Sequence, residues 1–203
     1  MDLGDDVVAL SPPTHDDVDR ITALCQDPEI QGWTVIPSPY PRDAAVWFLE
    51  HVVDDGWESG ANLTWGIRAE GELVGMIGLT VEPLGSAEVG YWLGPDARGR
   101  GLLHRALGLV LDHAFDPAGV DLDVVEWRAY AGNWASWRTA WRHGFRFEGV
   151  HRLGAVQRDR RRDDWAGSLL RSDPRTPVAP WPATEAFGLQ PPDHARSAPG
   201  RTA

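Results

Sequence analysis

The 203 residues predict a single α/β domain built on one mixed sheet flanked by helices. Three observations lead there: a meander of alternating strands in the first half, helical segments before and after it, and a glycine-rich loop where a strand hands over to a helix. Residues 7–10 read as a short strand. Thr14-His15-Asp16-Asp17 forms a capping box ahead of Val18, Ile21, Leu24 and Cys25 at helical spacing, and this helix is expected to end near Asp27-Pro28. Residues 41–53 give a second helix with Ala45, Phe48, Leu49 and Val52 inward. Leu63, Trp65, Ile67 and Ala69 alternate along a strand, Glu70-Gly71 turns it, and residues 73–81 return as a hairpin partner. Residues 87–93 make the third strand of the meander.

After Gly94-Pro95-Asp96-Ala97-Arg98-Gly99-Arg100-Gly101, the apolar positions Leu103, Leu107, Val110 and Ala114 recur at helical spacing. Residues 124–130 read as a strand. Asn133 caps a helix that runs to His143, where Gly144 stops it and Phe145 packs back. Closing strands near 146–156 and 165–170 flank the basic run Arg158-Asp159-Arg160-Arg161-Arg162, which reads as a solvated hairpin turn. Residues 172–203 hold seven of the 16 prolines with no apolar period, so the domain is expected over 1–171 and a disordered tail beyond it.

Composition narrows the function. Residues 1–96 carry 18 acidic and three basic side chains, net −15, while residues 97–203 carry 12 and 16, net +4. All 19 basic residues are arginine, yet no broad basic stripe exists, so a nucleic-acid partner is not expected. No long apolar run and no basic-then-apolar leader is seen, which argues against a membrane partner and for a cytoplasmic location. Cys25, the one cysteine, reads as a small buried apolar residue.

The segment Arg98-Gly99-Arg100-Gly101-Leu102-Leu103 is an anion site by its position, because free N–H groups and the positive end of a helix converge there. Glycines let the backbone approach a phosphate closely, and the two arginines add charge. It lacks the ending of a Walker loop and the third glycine of a dinucleotide fingerprint. Taken alone, such a turn is equally well a tight connection.

Its context is more specific. Ala87-Glu88-Val89-Gly90-Tyr91-Trp92-Leu93 before the loop, Asn133-Trp134-Ala135-Ser136 about 30 residues on, and Gly144-Phe145-Arg146-Phe147-Glu148-Gly149 after that resemble the GNAT superfamily of N-acetyltransferases, over roughly residues 5–171. The likeness is greatest to the ribosomal-protein alanine/serine branch. The resemblance implies a cytoplasmic enzyme that moves an acetyl group from acetyl-coenzyme A to an amine, without metal. It places the coenzyme's pyrophosphate on Arg98, Gly99, Arg100, Gly101, Leu102 and Leu103, and its pantetheine arm along Tyr91, Trp92 and Leu93. Leu103 departs from the family's usual Gly or Ala; only a backbone donor is needed there, so its side chain is expected to face away.

Transfer to an amine needs the neutral nucleophile, and an α-amine is less basic than a lysine, so a general base helps and is needed less for the α-amine. Glu88 matches the base proposed in that branch and alternates with Gly90 and Trp92 on one strand face; the plainer reading is a solvent-facing carboxylate. Ser136 matches the branch's partner for the departing thiolate, since the tyrosine many relatives use falls on Ala140; a serine early in a helix can also serve only local bonding. Asn133 caps the helix and is expected to meet the coenzyme.

Trp134, Trp137 and Trp141 share one helix face, as core or as a dimer contact, which leaves a homodimer open. Trp33, Trp57 and Trp65 come from the half where acceptors enter in this superfamily. The seven histidines show no metal spacing. The expected acceptor is a protein or peptide N-terminal α-amine. Two alternatives stand beside it: a small-molecule amine such as an aminoglycoside, amino acid or peptide-like antibiotic, and a non-catalytic coenzyme-binding module.

Overall fold

The computed structural model describes residues 1–181. Its strands are β1 (Leu3–Gly4), β2 (Ala9–Ser11), β3 (Asn62–Ala69), β4 (Glu72–Glu82), β5 (Ser86–Leu93), β6 (Val124–Tyr130), β7 (Arg146–Gln157) and β8 (Arg160–Leu170). Its helices are α1 (Val18–Leu24), α2 (Pro28–Trp33), α3 (Arg42–Phe48), α4 (Asp55–Ser59), α5 (Leu102–Phe115) and α6 (Trp134–Arg142). The strands form one sheet in the order β1-β2-β3-β4-β5-β6-β8-β7. Every neighbouring pair is antiparallel except β5 and β6, which run parallel because α5 crosses between them.

The meander forms as its alternation requires, with Glu70 and Gly71 both at positive φ in the β3–β4 turn. Along β5, Ala87, Val89 and Tyr91 face α5 and α6, whose buried Leu107, Val110, Leu111 and Trp137 make the larger core with Val125, Trp127 and Leu169. On the other face α1, α3 and the π-helical turns of Leu49–Asp54 pack Val18, Ile21, Ala45, Leu49 and Val53 onto Leu73 and Met76 of β4, with Trp92 against them. That second helical layer covers the β4 side of the sheet. Glu88 and the even-numbered Glu126 and Arg128 therefore stay exposed on this face.

The pairing of β5 with β6 runs only from Ser86↔Val124 to Val89↔Trp127, while β5 stays bonded to β4 as far as Gly75↔Leu93. Beyond Val89 the two parallel strands part. This opening positions the site.

Four expectations are corrected. Asp27-Pro28 ends one helix but also starts another, since the Asp27 carboxylate accepts the Ile30 N–H at 3.0 Å and Pro28 fits the first helical position. The second expected helix does not stop near 53; it continues through α4, past the buried Gly56, and ends at Gly60 with φ +74. The arginine run does form the exposed end of a hairpin, but the turn is shorter than expected: only Arg158-Asp159 turns, at a positive Arg158 φ, and Arg160 to Arg162 lie in β8. Finally, the packed chain extends past residue 171. Asp173 accepts the Leu170 N–H at 3.0 Å, the Trp141 indole donates to the Ala179 carbonyl at 2.9 Å, and Trp181 packs edge-on against Trp134 and Trp141. A single tryptophan supplies the apolar anchor that the proline content obscures. Residues 182–203 of the expected tail lie outside the described residues.

Candidate active site

A cleft of about 510 Å³ runs between the glycine loop and α6. Gly99 and Gly101 hold φ of +74° and +78°, and a Cβ on either would meet no neighbouring atom, so these positions are glycine for conformation and lie open to a ligand. The first helical bond of α5 is made by the Arg105 N–H to the Gly101 carbonyl at 3.2 Å. The N–H groups of Leu102, Leu103 and His104 therefore precede the helical ladder and face outward with the positive helix end, a cradle that fits a pyrophosphate.

The charges differ from expectation. Arg98 lines the cleft, but its guanidinium is held by Asp27 at 2.5 Å and Glu29 at 2.6 Å, with Nε donating to the Leu93 carbonyl. Burial alone would raise the Asp27 pKa; the bonds from Arg98 and the Ile30 N–H hold it below its ordinary value instead. Arg98 thus pins α2 to the loop. Arg100 does not line the cleft and pairs with Glu70 at 2.6 Å on the β3–β4 turn. Leu103 is among the residues lining the cleft, and its side chain is partly buried against the core. Sequence reasoning missed Arg138 and Arg142, which line the opposite lip one helical turn apart on α6. Their own i, i+4 spacing, which puts both on one side of α6, was the available signal.

Tyr91, Trp92, Leu93, Asn133 and Ser136 also line this cleft. The Asn133 Oδ1 accepts the Ser136 N–H at 3.1 Å and caps α6. Ser136 Oγ accepts from the Trp127 indole at 2.9 Å and donates to the Tyr91 hydroxyl at 3.3 Å, which in turn donates to the Ser136 carbonyl at 3.0 Å. Burial raises the Tyr91 pKa, so the phenol remains protonated.

A second chamber of about 380 Å³ lies on the other side of the β5–β6 opening. Trp33, Thr34, Tyr91, Asn133 and Ser136 line both chambers, so the two meet at the parted strands. Glu88 lies in the second chamber. Burial among the chamber walls raises its pKa, Arg128 opposes this, and the carboxylates of Glu126, Asp164 and Glu82 add to the rise. Its surface still opens to solvent.

The chamber is roofed by contacts no local pattern announces. The buried Gln157 amide donates to the carbonyls of Gln31, Gly32 and Thr34 at 3.0 to 3.3 Å. Arg158 donates to the Gln31 carbonyl at 2.7 Å, and Arg162 lies over the rings of Trp33 and Tyr130. The β7–β8 hairpin therefore satisfies the carbonyl end of α2. Of the tryptophans expected at the acceptor side only Trp33 is there; Trp65 is in the core and Trp57 packs edge-on against it. Trp137 is core, and Trp134 and Trp141 are covered by the chain's own Trp181. Cys25 is buried, its thiol pushed up to about 12. Among the described residues no cluster of side chains could hold a metal, and no helix is long and apolar enough to cross a membrane.

Solved structures of the same fold include RimJ of Mycobacterium smegmatis in complex with coenzyme A disulfide, at 22% identity and TM-score 0.76 over 84% of this chain and 87% of that one. RimL, a ribosomal L7/L12 alpha-N-protein acetyltransferase in complex with coenzyme A, matches at 18% and 0.76 over 84% and 98%. The microcin C7 self-immunity acetyltransferase MccE, in complex with acetyl-coenzyme A and AMP, matches at 21% and 0.74 over 82% and 93%. No curated protein sequence matches. The family model described as an acetyltransferase (GNAT) domain matches residues 8–146. Its span takes in α1 to α6, the glycine loop, Glu88 and Ser136, and the chain belongs to the GNAT acetyltransferase family.

Proposed function

We propose that the protein transfers the acetyl group of acetyl-coenzyme A to the N-terminal α-amine of a protein or peptide, by direct attack with both substrates bound. One observation carries this reading: two chambers of different character meet at the parted β5 and β6, with Glu88 on one side and Ser136 at the junction. The glycine loop and the start of α5 hold the donor's pyrophosphate, and Tyr91, Trp92 and Leu93 run along its pantetheine arm. The donor supplies an activated acyl group when bound.

Glu88 takes a proton from the entering ammonium and frees the nitrogen lone pair that forms the new C–N bond. The C–S bond breaks, and the Ser136 hydroxyl turns from Tyr91 to the departing sulfur, which receives the second proton that the attacking nitrogen gives up as the amide forms. The Trp127 indole stays on the Ser136 oxygen and makes that hydroxyl a better donor. Asn133 keeps the first turn of α6 in place. The likeness to RimJ and RimL supports a ribosomal-protein acceptor, and a cytoplasmic location goes with it.

Release of free thiol from acetyl-coenzyme A in the presence of an amine panel tests the reading. Peptides with a free N-terminus are expected to be turned over best. Preference for an aminoglycoside or another small amine, or coenzyme binding without thiol release, would overturn it.

A further inference from the structure

The acceptor chamber contains a cation that a base for simple amines does not need. Arg128 on β6 lines the chamber with Glu88, and its Nε and Nη2 both donate to Asp164 Oδ2, at 2.9 and 2.6 Å. Asp164 is 1% exposed, and Gly154 presses so closely on its Oδ1 that a Cβ there would collide. That oxygen has no hydrogen-bond partner among the described residues. His151 Nδ1 lies 3.2 Å from Arg128 Nη2. The guanidinium is thus fixed along one edge, while Nη1 makes no hydrogen bond among the described residues.

Paired with Asp164 and holding only donors, this guanidinium offers a plain alkylammonium no favourable contact. The contact becomes favourable when the acceptor carries an oxygen next to the reacting amine, because a guanidinium edge takes such an oxygen at fixed geometry. We propose that Arg128, anchored by Asp164, binds the carbonyl oxygen one carbon away from the acceptor's amine. The substrate class is then the α-amino acyl group, as in a peptide N-terminus or an amino acid, and not a side-chain or plain alkyl amine. This rests on the acetyl-transfer reading above and narrows its acceptor.

The test compares a tripeptide bearing a free N-terminus with an analogue whose first amide is replaced by an alkene of the same shape. For each, kcat/KM is measured in the wild type and in Arg128→Met. The acceptor's own basicity cancels in the ratio of wild type to variant. That ratio should be about 10- to 100-fold larger for the peptide, the worth of a hydrogen bond to a charged group, and should arise mainly through KM. Because Arg128→Met leaves Asp164 buried without its partner, Arg128→Lys is measured in parallel: it keeps the charge but loses the fork, and the same selective loss is expected. Equal losses for both acceptors would make Arg128 a structural tie between β6 and β8 and overturn the inference while acetyl transfer stands. Free alanine and alaninamide then separate a carboxylate from an amide carbonyl as the preferred oxygen. No thiol release with any acceptor would overturn the underlying reading and this inference with it.

Discussion

The two chambers that meet at β5 and β6 are built in different ways. The donor cleft draws mostly on two continuous stretches, the loop into α5 and the first turns of α6, and its chief groups are backbone N–H donors and glycines. The acceptor chamber draws on α2 and its following turn, β5, β6, α6 and the β7–β8 hairpin, and its groups are side chains held by other side chains. The first chamber thus rests on local backbone geometry, which few substitutions disturb. The second rests on long-range contacts, each of which can change alone.

Each variant below sharpens or breaks this contrast. The largest effect is expected on the acceptor side. Glu88→Gln should lower the rate roughly 10²–10⁴-fold near neutral pH, with part of the loss recovered as rising pH deprotonates the amine unaided. Since the Glu88 pKa lies above the ordinary carboxylate value, the wild-type acidic limb should lie above that value too, and in the variant it should give way to a rise that follows the amine's own, higher pKa. A retained limb in Glu88→Gln would assign the proton to another group.

Beneath the donor cleft, His143 donates Nε2–H to the His104 carbonyl at 2.9 Å, and burial lowers its pKa from 6.5 to about 4. A depressed folded-state pKa means that the uncharged ring stabilises the fold above pH 6.5. That stability, about 3 kcal/mol at most, is lost as pH falls from 6.5 toward 4. Denaturant melts over that range should show it, and His143→Gln should flatten the slope. An equal slope in both proteins would place the titration elsewhere.

Trp181→Ala should cost about 1–3 kcal/mol by uncovering Trp134 and Trp141, and truncation after Arg171 should cost at least as much. A melting temperature shared by wild type and truncation would restore the domain boundary near 171. The smallest effect is expected at Arg100, whose exposed pair with Glu70 predicts less than about 1 kcal/mol on coenzyme affinity for Arg100→Ala. Arg98→Ala, which releases α2 from the loop, should exceed it and raise KM for donor and acceptor together. Equal, large donor-specific losses at both arginines would return them to the pyrophosphate.

What can be read along the chain is what short-range physics decides. Alternation in β3 to β5, the capping by Thr14 and Asp17 and by Asn133, and the left-handed glycines at 99 and 101 each depend on residues within a few positions, so the fold class and the donor loop were legible. Glu88 and Ser136, singled out on the family pattern, both line the second chamber. What the arginines do was not legible, because a guanidinium reaches several ångströms and its partner is set by the fold: Arg98 meets Asp27 and Glu29, Arg100 meets Glu70, and Arg128 meets Asp164. The reach of Gln157 to three carbonyls more than 120 residues away, and of Trp181 back to α6, belongs to the same class. Tertiary structure alone decides which distant polar groups share a buried space, because each must find a partner there once water is excluded.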